Sequence, residues 1–368
     1  MDPSSVAPIV VWSAFALGVV FGLVGNATHF CTMGAVADVV SMGDWNRMRM
    51  WLLAMAVAVL GAGAFQAAGW IDVSKSIYTT PNFTWLSYIL GGLLFGAGMT
   101  LGSGCGSKTL VRIGGGNLKS IVVFLMLAIS AYMSLKGLFA VFRVAAIDPV
   151  AVALPVTQDL PSLLALGLGG ERNSMLVAVA GVFGAGLIVF VFMSHEFRTF
   201  DNLLGGIVVG LVVVAGWYLS GHLGYLAEDP STLEERFFAT NSGRMESMTF
   251  VSPFGYVLEL LMLWSDKSRV MTFGIATVLG MVAGSLAYAV ATRSFRLESF
   301  RDAEDLINHL IGGTLMGFGG VLGLGCTIGQ GVSGVSTLAL GSFLALFSIV
   351  AGTTVTMKVQ YWRMLRED

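Results

Sequence analysis

A glycine-spaced block of 18 residues occurs twice in this chain, and this duplication limits what the chain can fold into. The first copy, GGLLFGAGMTLGSGCGSK, covers residues 91–108, and the second, GGTLMGFGGVLGLGCTIG, covers residues 312–329. When Cys105 is aligned with Cys326, nine positions are identical, which indicates an internal duplication. Each copy predicts an apolar helix that breaks at G-x-G-C, so the chain contains two matching broken helices that each end on a thiol.

The composition predicts that these helices lie in a membrane. Only 11% of the residues are charged and 55% are hydrophobic, whereas about 25% of an average soluble domain is charged. Many apolar runs reach about 20 residues, the length of a membrane-spanning helix. We therefore expect an all-α polytopic membrane protein with about nine transmembrane helices and short broken or re-entrant pore helices. The net charge of −2 gives no indication of nucleic-acid binding.

The apolar runs also predict the order of the spans. The nine expected spans cover residues 9–24, 50–71, 85–103, 118–140, 174–193, 202–222, 270–291, 305–325 and 334–356. The first span leads into an interruption at 25–34. The apolar run at 251–264 is too short to cross a bilayer and predicts an interfacial or re-entrant helix.

The distribution of Lys and Arg predicts the orientation, because these residues prefer cytoplasmic loops. With the N-terminus in the periplasm and the C-terminus in the cytoplasm, twelve of the 20 basic residues lie inside: Arg47, Arg49, Lys108, Arg112, Lys119, Arg198, Arg293, Arg296, Arg301, Lys358, Arg363 and Arg366.

In this orientation the third and eighth spans run in opposite directions, so the two copies form inverted repeats. The expected division is a first repeat at 1–142, a periplasmic connector with linking span 5 at 143–199, and a second repeat at 200–368. Inverted repeats with broken helices are typical of transporters, whose sites lie near the midplane at the repeat interface.

The breaks predict a pathway lined by thiols. Unpaired backbone groups at membrane depth are tolerated only inside protein or beside a cavity, so we expect Gly104 and Gly325 to line a pore with Cys105 and Cys326. Cys31 lies in the interruption after the first span. Three cysteines without a C-x-x-C motif argue against a disulfide framework, and simple packing of three small apolar residues remains the alternative.

Neutral thiols suit a soft solute that presents sulfur, whereas thiolates would suit a soft metal. Metal-ligating side chains are sparse near the breaks, with His29 and Met33 beside Cys31, so we predict no metal site and no cofactor. We expect His29 to be structural or a gate residue, and Glu259 to be a solvated helix end.

An anion fits the breaks better than a cation. Broken helices direct N–H groups into the pathway, and Lys108 and Arg112 follow the first break, either as anion contacts or as anchors of the cytoplasmic side. Protonated thiols can donate S–H bonds to an anion, and several weak sites in series permit entry and exit. The sequence contains no phosphate loop, flavin motif or Ser-His-Asp pattern, so we predict that the chain is not an enzyme.

Three segments resemble the YeeE/YedE sulfur-transport family of bacterial inner-membrane proteins. They are the HFC-x-x-G segment with Cys31, LGSGCGSKTLVRIGGGNLKS with Cys105, and GLGCTIGQGVSG with Cys326. The resemblance implies uptake of thiosulfate through an hourglass-shaped protein, with these three cysteines passing the anion on by S–H hydrogen bonds to sulfur. It also implies, for many members, a small cytosolic sulfur-carrier protein as partner. Lys108 stands where some relatives have arginine, so a bidentate anion contact is not expected here.

The sequence thus favours an inner-membrane permease for thiosulfate or a closely related sulfur anion. A transporter of selenium compounds or other reduced-sulfur compounds is the alternative within transport. A membrane thiol-redox or sulfur-transfer subunit is the alternative from another class.

The expected orientation can be tested with cysteines introduced at Ser231 and Ser299. A membrane-impermeant thiol reagent should label position 231 from the periplasmic side and position 299 from the cytoplasmic side. Labelling of both from the same side would contradict the inverted-repeat arrangement.

Overall fold

The computed structural model describes residues 3–229 and 233–367, so Ser231 lies outside the described residues. The helices are α1 (Pro3–Ala27), α2 (Thr32–Met42), α3 (Asn46–Ala67), α4 (Trp85–Leu101), α5 (Gly106–Gly114), α6 (Leu118–Lys136), α7 (Leu138–Phe142), α8 (Leu160–Leu168), α9 (Arg172–Phe192), α10 (Phe200–Tyr218), α11 (Val251–Met262), α12 (Phe273–Ala291), α13 (Ala303–Leu322) and α14 (Leu340–Glu367). A 3₁₀ turn lies at Val73–Lys75, and π-helical turns lie at Arg143–Ile147, Leu219–Leu223 and Gly329–Gly334. Two short antiparallel strand pairs join β1 (Asn82–Phe83) to β2 (Val152–Ala153) and β3 (Tyr225–Leu226) to β4 (Arg236–Phe237).

Within the described residues, eight helical segments are long and apolar enough to cross a membrane, which confirms an all-α polytopic membrane protein. They are α1 with α2, α3, α4 with α5, α6, α9, α10, α12 and α14. The remaining expected span, residues 305–325, corresponds to α13, which is not among these eight segments. It is a helix of 20 residues whose first turn carries Glu304 and Asp305.

Two expectations about the second half were wrong. The ninth span was expected to begin at residue 334, but α14 begins only at Leu340, because the preceding residues form a π-helical turn and a loop. Glu259 was expected to be solvated, but its side chain is only 6% exposed and pairs with Lys136 at 2.8 Å and with Arg269 at 3.1 Å. Its helix, α11, packs against α6 and α12, so this short apolar helix lies inside the protein rather than along its surface.

The helix packing in the first half matches that in the second half, with α1, α3, α4 and α6 corresponding to α10, α12, α13 and α14. The α1–α12 contact corresponds to the α10–α3 contact, and the α4–α14 contact corresponds to the α13–α6 contact. The α4–α13 contact corresponds to itself and therefore lies at the centre. This pattern supports the two-repeat arrangement, although the division at 142 and 200 stays a prediction.

Glycines bring α4 and α13 into backbone contact. A Cβ atom at Gly98 would lie 2.7 Å from the Gly312 carbonyl oxygen, and one at Gly319 would lie 2.7 Å from the Gly91 carbonyl oxygen. The early residues of α4 therefore meet the late residues of α13, so the two helices are antiparallel. Such close approach favours helix association in lipid, where packing rather than hydrophobic burial drives it.

The connecting loops gather at the two ends of the helices. At one end β1 pairs with β2, Ser76 pairs with Met245, and Lys75 binds Glu235 at 2.8 Å. At the other end the Asn117 amide donates to Glu298 at 2.6 Å. Each helix break therefore leads toward a different face, because Gly115 pairs with Arg296 beyond the first break and Ala339 pairs with Asp159 beyond the second.

The central contact predicts the cost of one added methyl group. Gly98→Ala should destabilise the protein by about 1–3 kcal/mol, because the new atom meets backbone rather than a flexible side chain. Gly181→Ala in α9 is the control, since a Cβ there would meet no described atom within 4 Å. Thermal unfolding in detergent measures both variants, and equal unfolding temperatures would contradict the close approach of α4 and α13.

Candidate functional site

The two helix breaks have the same backbone geometry. After α4 the Gly104 amide donates to the Met99 carbonyl at 2.9 Å, and after α13 the Gly325 amide donates to the Gly320 carbonyl at 2.7 Å. Ser103 and Leu324 occupy matching positions, and both have φ of 57°. A left-handed conformation costs a non-glycine residue roughly 1–2 kcal/mol, so both copies of the repeat hold the same strained turn.

Each break places its thiol at the start of a helical turn, next to a backbone amide. The Gly329 amide donates to Cys326 Sγ at 3.3 Å, and the Gly34 amide donates to Cys31 Sγ at 3.4 Å. Cys105, which precedes α5, has no hydrogen bond of this kind, and its Sγ instead lies 3.2 Å from the Ser107 hydroxyl. Cys31 and Cys326 therefore accept from the amide three residues later, which leaves their S–H groups able to donate.

The three thiols lie in one chain of contacts. All are free and buried, with exposures of 8% for Cys31 and 0% for Cys105 and Cys326. The Cys31 thiol interacts with the Cys105 thiol. Thr327, which follows Cys326, lies close to Cys105, although its hydroxyl makes no hydrogen bond. The structure thus brings the two breaks and the interruption after α1 to a common centre.

Two basic side chains lie beside the inner pair of thiols. Lys108 packs over Gly104, where a Cβ atom would lie 3.2 Å from Lys108 Cγ, and it interacts electrostatically with Cys31 and Cys105. The Arg47 guanidinium covers Gly34, where a Cβ atom would lie 2.5 Å from Nη1. From the sequence, Arg47 was expected only among the basic residues of the cytoplasmic side. The one sequence signal for its closeness to the thiol region was Gly34, three residues after Cys31.

The mouth beside these cations carries further titratable groups. Arg47 forms an ion pair with Asp38 at 3.4 Å, which balances part of its charge. His29 is exposed, adopts a left-handed conformation with φ of 53°, and lies within electrostatic range of Lys108, Arg47 and Asp201. This mouth is therefore positively charged but not uniformly so.

Arg112 does not share the position of Lys108. Its Nη1 donates to the Ser103 carbonyl at 2.7 Å, and it faces a separate cavity of about 300 Å³. At the second break a different contact holds the turn, because Gln330 Nε2 donates to the Gly323 carbonyl at 2.6 Å and Gln330 Cγ lies 3.2 Å from a Cβ placed at Gly325. The strained turn of the first break is thus held by a hydrogen bond from a cationic side chain, and that of the second break by a hydrogen bond from a neutral amide.

The donor set does not resemble a metal centre. Within residues 3–229 and 233–367, no group of three or more His, Cys, Asp or Glu side chains could hold a metal ion. What the arrangement offers instead is three S–H donors in sequence, with positive charge at one end.

Known proteins with similar sequences cover nearly the whole chain. A family model described as sulphur transport matches residues 27–355. The chain is 26% identical to the thiosulfate transporter TsuA of Escherichia coli K12, over 97% of each chain. It is 24% identical to the thiosulfate transporter TsuA of Spirochaeta thermophila, over 93% of this chain and 97% of the relative. The matched region contains both breaks and all three thiols.

The Arg112 contact predicts a structural role that can be measured. Arg112→Ala should lower the free energy of unfolding by about 1–3 kcal/mol, because the Ser103 carbonyl at the strained turn loses its donor. Arg363→Ala, at an exposed position near the end of α14, is the control. An Arg112 variant as stable as the control would show that the turn does not depend on this bond.

Proposed function

We propose a route for substrate through this chain, which belongs to the sulphur transport family and is a membrane transport protein rather than an enzyme. Its substrate is thiosulfate or a closely related sulfur anion, which enters the cell across the inner membrane. The observation that carries this proposal is the row of three buried thiols, of which Cys31 and Cys326 each accept from the amide three residues later.

The thiols pass the anion on without changing it. In thiosulfate the terminal sulfur is soft and carries negative charge, so it accepts an S–H bond from Cys326, then from Cys105, then from Cys31. Because the sulfurs of Cys31 and Cys326 already accept from an amide, their hydrogens are available to the anion. Weak sites in series release the ion as readily as they receive it, and no covalent bond or electron transfer is needed.

Charge increases toward the Cys31 end of the route. Lys108 and Arg47 there attract an anion that has passed the strained turn of Ser103. The Arg47–Asp38 ion pair at 3.4 Å keeps this end from becoming a tight anion trap. A partly balanced charge of this kind favours arrival without preventing departure.

The same chemistry accommodates soft selenium-containing anions, which are the second candidate substrates. A small cytosolic sulfur-carrier protein as partner, the periplasmic position of the N-terminus and the boundaries of the repeats remain predictions. The cation-rich mouth next to His29 is the surface on which such a carrier would receive the anion.

Substitution of the thiols tests the route. Cys105→Ser and Cys326→Ser should each reduce thiosulfate uptake about tenfold or more, because a hard, strongly solvated hydroxyl replaces a soft sulfur donor. Cys→Ala should be no better, since alanine donates nothing. Uptake of labelled thiosulfate into proteoliposomes, and growth on thiosulfate as sole sulfur source in a host without its own importers, measure the effect.

Packing alone predicts a different pattern. A small apolar residue should then be tolerated in these buried positions, whereas serine should be worse because its hydroxyl is buried without a partner. Wild-type uptake by the alanine variants of Cys31, Cys105 and Cys326, at equal protein levels in the membrane, would contradict the proposed route.

A further inference from the structure

Buried polar groups without partners surround the second break. Within the part of the chain that the structure describes, the hydroxyls of Tyr78 and Thr327, the Gln330 Oε1 atom and the Trp51 Nε1 atom are buried and have no hydrogen-bond partner of ordinary geometry. In folded proteins such groups almost always find partners. A cluster of them beside a transport pathway therefore points to something that binds there.

The unpartnered hydroxyl of Tyr78 lies beside Gly329, next to Cys326. A Cβ atom at Gly329 would lie 3.3 Å from the Tyr78 hydroxyl and 2.5 Å from the Thr249 hydroxyl. The amide of the same Gly329 donates to Cys326 Sγ at 3.3 Å. The Gly329 backbone thus lies between the Cys326 thiol on one side and the hydroxyls of Tyr78 and Thr249 on the other, packed too closely to admit a Cβ atom.

Thr327 continues this polar lining toward the first break. It is fully buried, directly follows Cys326 in the sequence and lies close to Cys105. Hydroxyl groups therefore lie beside the thiols from Cys326 to Cys105. The charged side chain of Lys108 lies next to Cys105.

We propose that Tyr78 and Thr327 form an uncharged oxyanion-binding site, which holds the oxygen atoms of the substrate while its terminal sulfur rests at Cys326 and then at Cys105. This inference rests on the proposed function and adds the residues that recognise the other end of the ion. Thiosulfate carries hard oxygens as well as one soft sulfur, and thiols match only the sulfur. The oxygens accept from Tyr78 first, from Thr327 next, and from Lys108 and Arg47 last.

Uncharged donors suit the outer part of such a route. A buried cation there would hold a doubly charged anion too tightly for release, whereas hydroxyls replace its hydration water and let it move on to Lys108. Burial raises the pKa of Tyr78, so this hydroxyl remains a donor at neutral pH.

Removal of single hydroxyls tests the site. Tyr78→Phe and Thr327→Val should each raise the KM for thiosulfate about tenfold in proteoliposomes, which is the effect expected from the loss of one hydrogen bond to a charged ligand. Neither substitution should lower the unfolding temperature, because neither hydroxyl has a protein partner to lose.

The matched controls remove buried hydroxyls that do have partners. Tyr88 accepts from Gln158 Nε2 at 3.3 Å, and Thr353 donates to the Ile349 carbonyl at 2.8 Å. Tyr88→Phe and Thr353→Val should therefore lower the unfolding temperature and leave the KM unchanged.

The outcomes separate this site from the function on which it rests. Wild-type KM values for Tyr78→Phe and Thr327→Val, with uptake still dependent on Cys105 and Cys326, would overturn the oxyanion site and leave thiosulfate transport standing. A lowered unfolding temperature with unchanged KM would assign both hydroxyls to the fold. Absence of thiosulfate uptake by the wild-type protein would overturn the proposed function and the site together.

Discussion

Backbone contact between α4 and α13 is the constraint on which the rest of the structure depends. In lipid an apolar side chain gains little from leaving the bilayer for another helix, so close packing has to hold the helices together. Glycines at 91, 98, 312 and 319 permit that packing at the central crossing. Since both helices end at the same point of the repeat, the crossing also fixes where the two breaks lie relative to each other, and both breaks therefore meet inside protein, where their unpaired backbone groups are tolerated.

The duplicated backbone carries side chains that differ between the two halves. Ser103 and Leu324 share one strained conformation, yet Arg112 ties the first turn and Gln330 ties the second. Lys108 adds a second cation to the first half, while the groups around Gly329 are hydroxyls. The two breaks thus share one backbone geometry, but cations lie beside the first and hydroxyls beside the second, which gives a symmetric scaffold a polar direction.

The sequence predicted those features that depend on local pattern. Repeated glycines and cysteines indicated two breaks with a thiol at each, and the apolar runs indicated the helices, apart from the late start of α14. It did not predict features that depend on distant residues. Arg47 reaches Gly34 from another helix, Tyr78 reaches Gly329 from a loop, and Glu259 is buried by Lys136 and Arg269. No spacing within one segment reports such contacts, because each arises only when the helices pack.

The contact between Thr327 and Cys105 has a consequence for energetics. Since all three thiols are shielded from solvent and Thr327 lies close to Cys105, the thiols form a dry layer between the two aqueous sides. The transmembrane voltage then falls mainly across this layer. An anion that follows the proposed route therefore meets in one or two steps an opposing electrical work of about 2.3 kcal/mol per charge for each 100 mV. Those few steps between Cys326 and Cys31 set the dependence of its flux on voltage.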